Sequence, residues 1–214
     1  MFRKAKKQWK VMQQVRLGDT SISTEQIRMI RTRLETKMTG PCTLMVTSPD
    51  SMKQKSLISS KLALSFAEQG KKVLLVDCNV RYPKVHEWFQ VDNQSGWTTA
   101  FHSTLHSPLD FVHETYQKGL SVLTTGPHTQ QPSMLWNQNI WVKWGEGFRQ
   151  NYDLILFEAP SMLAYADAHL VMNHCDGVVM TVRRHQSKNE EAREAKEAIE
   201  QTNVPIWGVI LQTG

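Results

Sequence analysis

Apolar residues along the chain gather in two kinds of segment. Short unbroken runs stand at Cys42–Thr47 and at 73–76, 120–124, 154–157, 178–182 and 206–211. Between them lie longer stretches in which apolar positions recur every three or four residues. A short continuous apolar run reads as a strand covered on both faces, and the longer recurrence reads as an amphipathic helix. Ile27, Ile30 and Leu34 give that spacing across 25–38, after a polar stretch at 19–24 in which Ser23 or Thr24 can cap the helix. Gly40-Pro41 stops it. Leu57, Ile58, Leu62, Leu64, Phe66 and Ala67 make a second helix that Gly70 closes, and 187–202 a later one, opened by Ser187 and Glu190 at capping-box spacing. Strands alternating with helices imply βαβ units, so the expected architecture is α/β: a doubly wound, mostly parallel sheet with helices on both faces. No internal repeat or low-complexity segment interrupts it.

At 214 residues, 40% apolar and 21% charged, the chain suits one globular domain with a sizeable core. No apolar run approaches the roughly 20 residues that span a bilayer, and the N-terminus lacks the apolar stretch of a signal peptide, so a cytoplasmic location is expected. The net charge of +5 comes from one place: Arg3, Lys4, Lys6, Lys7, Lys10 and Arg16 fall in the first sixteen positions with no acid among them. Residues 1–18 therefore read as a basic arm and 19–214 as the domain. Such an arm, interleaved with Phe2, Trp9, Val11, Met12 and Val15, can rest on an anionic membrane at about 1 kcal/mol per basic residue, or it can be a solvated tail. No nucleic-acid partner is expected. Cys42, Cys78 and Cys175 are isolated, with no C-x-x-C pair, and read as buried thiols.

The chemistry concentrates at the strand ends. The run 42–47 leads through a loop of about eight residues into a helix that opens with Lys55-Ser56, which is the skeleton of a P-loop. In a working P-loop, glycines turn backbone N–H groups toward phosphates, a lysine neutralises them and a hydroxyl holds Mg²⁺. Here Lys55 and Ser56 are present, but Pro49 and Gln54 stand where the G-x-x-x-x-G-K-[ST] pattern has glycine. Alone, a Lys-Ser pair is equally an exposed first helical turn. Asp77 ends the 73–76 run and Glu158 ends the 154–157 run, and the crevice beyond strand ends is where open α/β sheets bind ligands.

The stretches Val-Leu-Leu-Val-Asp-Cys-Asn-Val-Arg-Tyr-Pro at 73–83 and Tyr-Asp-Leu-Ile-Leu-Phe-Glu-Ala-Pro at 152–160 resemble the second and third Walker-type motifs of the bacterial tyrosine kinases (BY-kinases) of capsule and exopolysaccharide assembly. The resemblance runs from Glu25 to Gln212. It includes Thr47-Ser48-Pro49, Gly126-Pro127 with Gln131-Pro132, Ala166-Asp167-Ala168 and the 208–211 run. Arg81-x-Pro83 separates this family from the partition and cell-division ATPases of the same fold. Glu25-x-x-Arg28-x-x-Arg31 is similar to the motif by which family members form rings, and residues three apart share one helical face, so the three side chains form one charged ridge. Without the resemblance they are equally a solvated helix with a favourable charge gradient.

The resemblance implies a P-loop NTPase-like fold binding ATP or ADP with Mg²⁺. It implies that Ser51, Met52, Lys53, Gln54, Lys55, Ser56, Leu57, Arg81 and Gln212 surround the nucleotide. Ser56, Asp77 and Glu158 would hold the metal, Asp77, Asn79 and Glu158 would occupy the catalytic positions, and Glu25, Arg28 and Arg31 would form the oligomer interface. The implied partners are a ring of identical copies and a membrane polysaccharide co-polymerase, which would bring the chain to the inner face of the membrane. Several positions depart from the family pattern. Asn79 replaces an aspartate and can neither carry charge nor take a proton; Glu158 replaces an aspartate and is one methylene longer; Ser161 replaces a proline; Gln212 stands for an asparagine. Met52 and Gln54 take two glycine positions. If those must be left-handed, each costs about 1–2 kcal/mol, a loss of roughly ten- to a thousandfold in affinity together.

Three functional readings follow. The first is a weak or inactive kinase relative, a pseudokinase that regulates exopolysaccharide synthesis through its partner surface. The second is an active ATP-dependent tyrosine kinase; its usual acceptor, a C-terminal tyrosine cluster, is not evident among Tyr82, Tyr116, Tyr152 and Tyr165. The third is an accessory ATPase of the MinD or partition type.

Overall fold

The computed structural model describes residues 14–17, 22–51, 54–102, 107–127, 135–136 and 138–213. Their elements, in chain order, are α1 (Ile22–Glu35), β1 (Cys42–Thr47), α2 (Lys55–Glu68), β2 (Val73–Asp77), α3 (Val85–Phe89) and α4 (Trp97–Phe101). A 3-10 turn at Pro108–Phe111 follows, then β3 (Val112–Glu114), β4 (Leu120–Leu123), α5 (Gln138–Asn151), β5 (Leu154–Glu158), α6 (Ala166–Met172), β6 (Gly177–Arg183), α7 (Asn189–Glu200) and β7 (Ile206–Gln212). The strands form one sheet in the order β3-β4-β2-β5-β1-β6-β7. Every neighbouring pair is parallel except β3 with β4.

The unbroken apolar runs are the central strands. Every residue of β1, β2 and β5 is buried, as expected of parallel strands covered on both sides. One face carries Leu44, Val46, Leu75 and Leu156 against Ile27 and Leu34 of α1, Leu62 and Phe66 of α2 and Phe89 of α3. The other carries Met45, Leu74, Ile155 and Phe157 against Trp97 of α4, Trp141 and Phe148 of α5, Val171 of α6 and Ile199 of α7. Alternate residues of each strand thus feed two cores, which makes the fold doubly wound. Val15 and Leu17, at the end of the basic arm, are buried in the first of them, so packing on the domain starts before residue 19.

Three local expectations are revised. The first helix begins at Ile22 and ends at Glu35, so Ser23 and Thr24 lie in its first turn. The capping box at 187–190 does not form: Ser187 Oγ accepts the Arg183 N–H at 3.1 Å, closing the turn after β6, and α7 starts from Lys188 with no side-chain cap. The edge strand β3 was not foreseen, because three residues reading Val-His-Glu carry no apolar run.

Register sets the site. Asp77 of β2 and Val46 of β1 both lie level with Glu158 of β5, so these strands end together at one edge of the sheet. The chain leaves β1 toward β2 on one side and later crosses from β5 to β6 on its other side, and ligand crevices of open α/β sheets lie at such a point. The loop leaving β1 is stitched to the loop leaving β5. Thr47 Oγ1 donates to Pro160 O at 2.7 Å, Met162 N to Ser48 O at 2.8 Å and Leu163 N to Pro49 O at 3.2 Å.

Candidate functional site

A cleft of about 490 Å³ opens beyond the carboxyl ends of β1, β2 and β5. It is lined by Asp50 and Ser51 of the β1–α2 loop, Lys55 and Ser56 at the start of α2, Asn79, Tyr82 and Lys84 after β2, Glu158 at the end of β5, and Ser161 and Tyr165 beyond it.

Its floor is a buried ion pair. Lys55 Nζ contacts Glu158 Oε1 and also donates to the Ala159 carbonyl, and the two side chains are only 3% and 1% exposed. Two charges withdrawn this far from water repay their desolvation only by close pairing, so each fixes the other's position. Glu158 Oε2 and Ser161 Oγ are also buried, and neither has a hydrogen-bond partner among the described residues. Ser56 Oγ accepts the indole N–H of Trp88, from α3, at 3.1 Å.

The backbone entering α2 is informative about the missing glycines. Gln54 has φ −99° and ψ −1°, an ordinary right-handed conformation, and its carbonyl accepts the N–H groups of Leu57 and Ile58. The strain expected of a non-glycine residue in a left-handed conformation therefore does not arise at Gln54. Met52 and Lys53 lie outside the described residues.

Asp77 stands beside the cleft without being part of its lining. Its Oδ1 accepts the Asn79 N–H at 3.1 Å, and its Oδ2 accepts those of Lys84 at 2.9 Å and Val85 at 3.0 Å. The carboxylate thereby fastens the loop after β2 and the start of α3. Burial, with the nearby Glu158 charge adding to it, pushes its carboxyl well above the usual range, and the three backbone hydrogen bonds oppose that rise. Asn79 turns its own Oδ1 to the Tyr82 N–H at 3.2 Å, and its amide faces the cleft.

The remaining expected residues fall elsewhere. Arg81 Nε donates to Asp167 Oδ2 at 3.0 Å and its guanidinium lies 4.4 Å from the Tyr165 ring centroid, so it braces one wall from outside. Leu57 packs on the core, Gln54 is exposed, and Gln212 ends β7 with a buried Oε1 that has no partner among the described residues. Arg28 reaches Glu25 at 2.6 Å and Glu68 of α2 at 3.6 Å, and Arg31 donates to the Ser65 carbonyl at 3.2 Å; both arginines bind α1 to the chain's own α2. Sequence reading passed over Asp50, Tyr82, Lys84, Ser161 and Tyr165 as lining residues. The Arg81-x-Pro83 motif, which contains Tyr82 and precedes Lys84, and the departure at Ser161 were the signals for them.

No group of three or more His, Cys, Asp or Glu able to hold a metal ion occurs among the described residues. Burial raises the thiols: Cys42, beside Asp176, to about 11, and Cys78 and Cys175 well above the usual range. No described helix is long and apolar enough to cross a membrane.

The chain is 34% identical over 197 residues to the tyrosine-protein kinase YwqD of Bacillus subtilis, covering 89% of this chain and 81% of that protein. It belongs to the bacterial tyrosine kinase family. The putative tyrosine-protein kinase EpsB of Ralstonia solanacearum, another relative, is 31% identical over 190 residues, and there the chain spans 25% of the longer protein. No protein-family model matches. Among solved structures the BY-kinase fold recurs in the chimerical protein CapA2B2, with TM-score 0.84 and 27% identity over 90% of this chain and 85% of that one. It recurs again in the kinase domain of Escherichia coli ETK, with TM-score 0.82 and 28% identity over 88% and 74%. The septum site-determining protein MinD of Pyrococcus horikoshii, solved with Mg-ADP, matches at TM-score 0.68 and 17% identity over 79% and 69%, a likeness of fold alone. The BY-kinases and the MinD ATPases thus share this P-loop scaffold, and the sequence relationship puts the chain with the kinases.

Proposed function

We propose that the chain binds a nucleoside triphosphate with Mg²⁺ in this cleft and serves capsule or exopolysaccharide assembly as a BY-kinase relative whose phosphotransfer to tyrosine is slow. The carrying observation is a pair of positions at the end of β2 and just beyond it: Asn79 offers the cleft an amide, and the Asp77 carboxylate is spent on three backbone N–H groups. Binding is favoured by what remains. Lys55, Ser56 and the first turn of α2 supply a cation, a hydroxyl and the positive end of a helix, all suited to phosphate. The buried orphan oxygen of Glu158 suits the accompanying cation, which would neutralise the phosphates and polarise the one transferred. At Asn79 the site offers the attacking phenol no proton acceptor.

A test combines calorimetry and labelling. Mg-ATP should bind the protein and not a Lys55→Met variant, and Asn79→Asp should raise phosphate transfer to a tyrosine peptide by about a hundredfold, the scale of a restored general base. Rapid transfer by the unaltered protein, unchanged in Asn79→Asp, would replace this reading with that of an active kinase. The right-handed backbone of Gln54 favours that second reading, because the loop there avoids the expected strain.

Family membership supports a ring of identical copies through Glu25, Arg28 and Arg31, and a membrane polysaccharide co-polymerase as partner. A place at the cytoplasmic face of the membrane, with the basic arm against anionic lipid, fits both.

A further inference from the structure

We infer that Ser161 is a positioning residue for the divalent cation that travels with the nucleotide, acting together with the second carboxylate oxygen of Glu158. The inference rests on the nucleotide reading above and adds a residue to it.

The Glu158 carboxylate is divided. Oε1 is taken by Lys55, while Oε2 is buried with no partner among the described residues. Ser161, three residues on in the same loop, is 3% exposed, and its Oγ has no partner among them either. Both residues line the cleft. Leaving a buried polar atom unpaired is unfavourable, and two on residues lining one cleft mark a place completed by something from outside the fold.

The chemistry of the pair selects the guest. A carboxylate oxygen accepts only, and a hydroxyl can accept or donate, so the corner repels a bare phosphate oxygen and welcomes a donor or a cation. For anionic groups the same cleft offers Lys55 and Lys84. Two oxygens are too few to hold a resident metal, and the described residues contain no larger cluster. They match a hydrated Mg²⁺, which keeps most of its waters and takes only one or two protein groups besides the phosphates. Ser161 would give that cation a hydroxyl and Glu158 its Oε2, while Oε1 stays on Lys55.

The test is calorimetric titration of ADP into the full chain and its Ser161→Ala variant, in EDTA and across a series of Mg²⁺ concentrations. Ser161→Ala should bind ADP in EDTA as the parent does, yet need about fivefold more Mg²⁺ for half its cation-dependent gain, the effect of one hydrogen bond. Its melting temperature without ligand should be equal or higher, because an unpaired hydroxyl has been removed. An unchanged Mg²⁺ requirement, an equal loss in EDTA, or a lower melting temperature would each overturn the inference. If the parent protein binds ADP in neither condition, the nucleotide reading fails and this one with it, an outcome recognisable because the parent itself is silent.

Discussion

At the level of single residues, the cleft is governed by groups that have already been given work. Lys55 is held by Glu158 and the Ala159 carbonyl, so a phosphate must draw the ammonium away from an existing partner. Glu158→Gln removes the charge and leaves the lysine buried without its counter-ion. Its unfolding free energy in urea should fall by about 3–5 kcal/mol and recover when Mg-ATP is present. A variant as stable as the parent would show that Lys55 is not confined there. Asp77→Ala deprives three backbone N–H groups of their acceptor and should cost about 2–4 kcal/mol by the same measurement, independently of nucleotide. Loss of binding with no loss of stability would instead assign Asp77 wholly to the ligand. Asp77 and Glu158 were legible in the sequence because each ends an apolar run, and Lys55 because it opens the helix after the loop that follows one. The other half of the cleft was not. Tyr82, Lys84, Ser161 and Tyr165 come from loops with no periodicity of their own, and only the register of β2 against β5 brings them together.

Elements were read in proportion to their length and apolar continuity. β1 and α2 fall where their patterns put them, whereas α3 and α4, five residues each, are too short to display a helical period. The capping box at 187–190 failed for a related reason. Its serine has a nearer use in the turn that follows β6, a competition that spacing alone does not reveal. The charged ridge of α1 shows the same ambiguity. Arg28 and Arg31 touch α2 of their own chain, through Glu68 and the Ser65 carbonyl, so part of the ridge is engaged within the monomer. Replacing both with alanine should lower the melting temperature slightly by loosening α1 from α2, and should reduce the particle mass in light scattering. A lowered melting temperature with unchanged mass would confine the ridge to the monomer.

For the molecule as a whole, burial in two cores determines how stability follows pH. His86 and His174 lie partly buried, the latter beside Trp141, and burial lowers both below the usual 6.5. The unfolded chain therefore takes up protons first as pH falls through that value, so stability from these residues is complete above it and declines toward the lowered folded values. The melting temperature should drop on acidification below about pH 6.5, and substituting both residues with glutamine should flatten the slope. An unaltered slope would place the acid sensitivity elsewhere. The bond from the Trp88 indole to Ser56 has a consequence at this scale too. Trp88 is half-buried, whereas Trp97, Trp136 and Trp141 are enclosed in the second core, so its emission is the most open to change at the cleft. Whatever recruits the Ser56 oxygen leaves that indole seeking another partner, and the molecule thereby carries its own optical gauge of occupancy, with no dye or label attached.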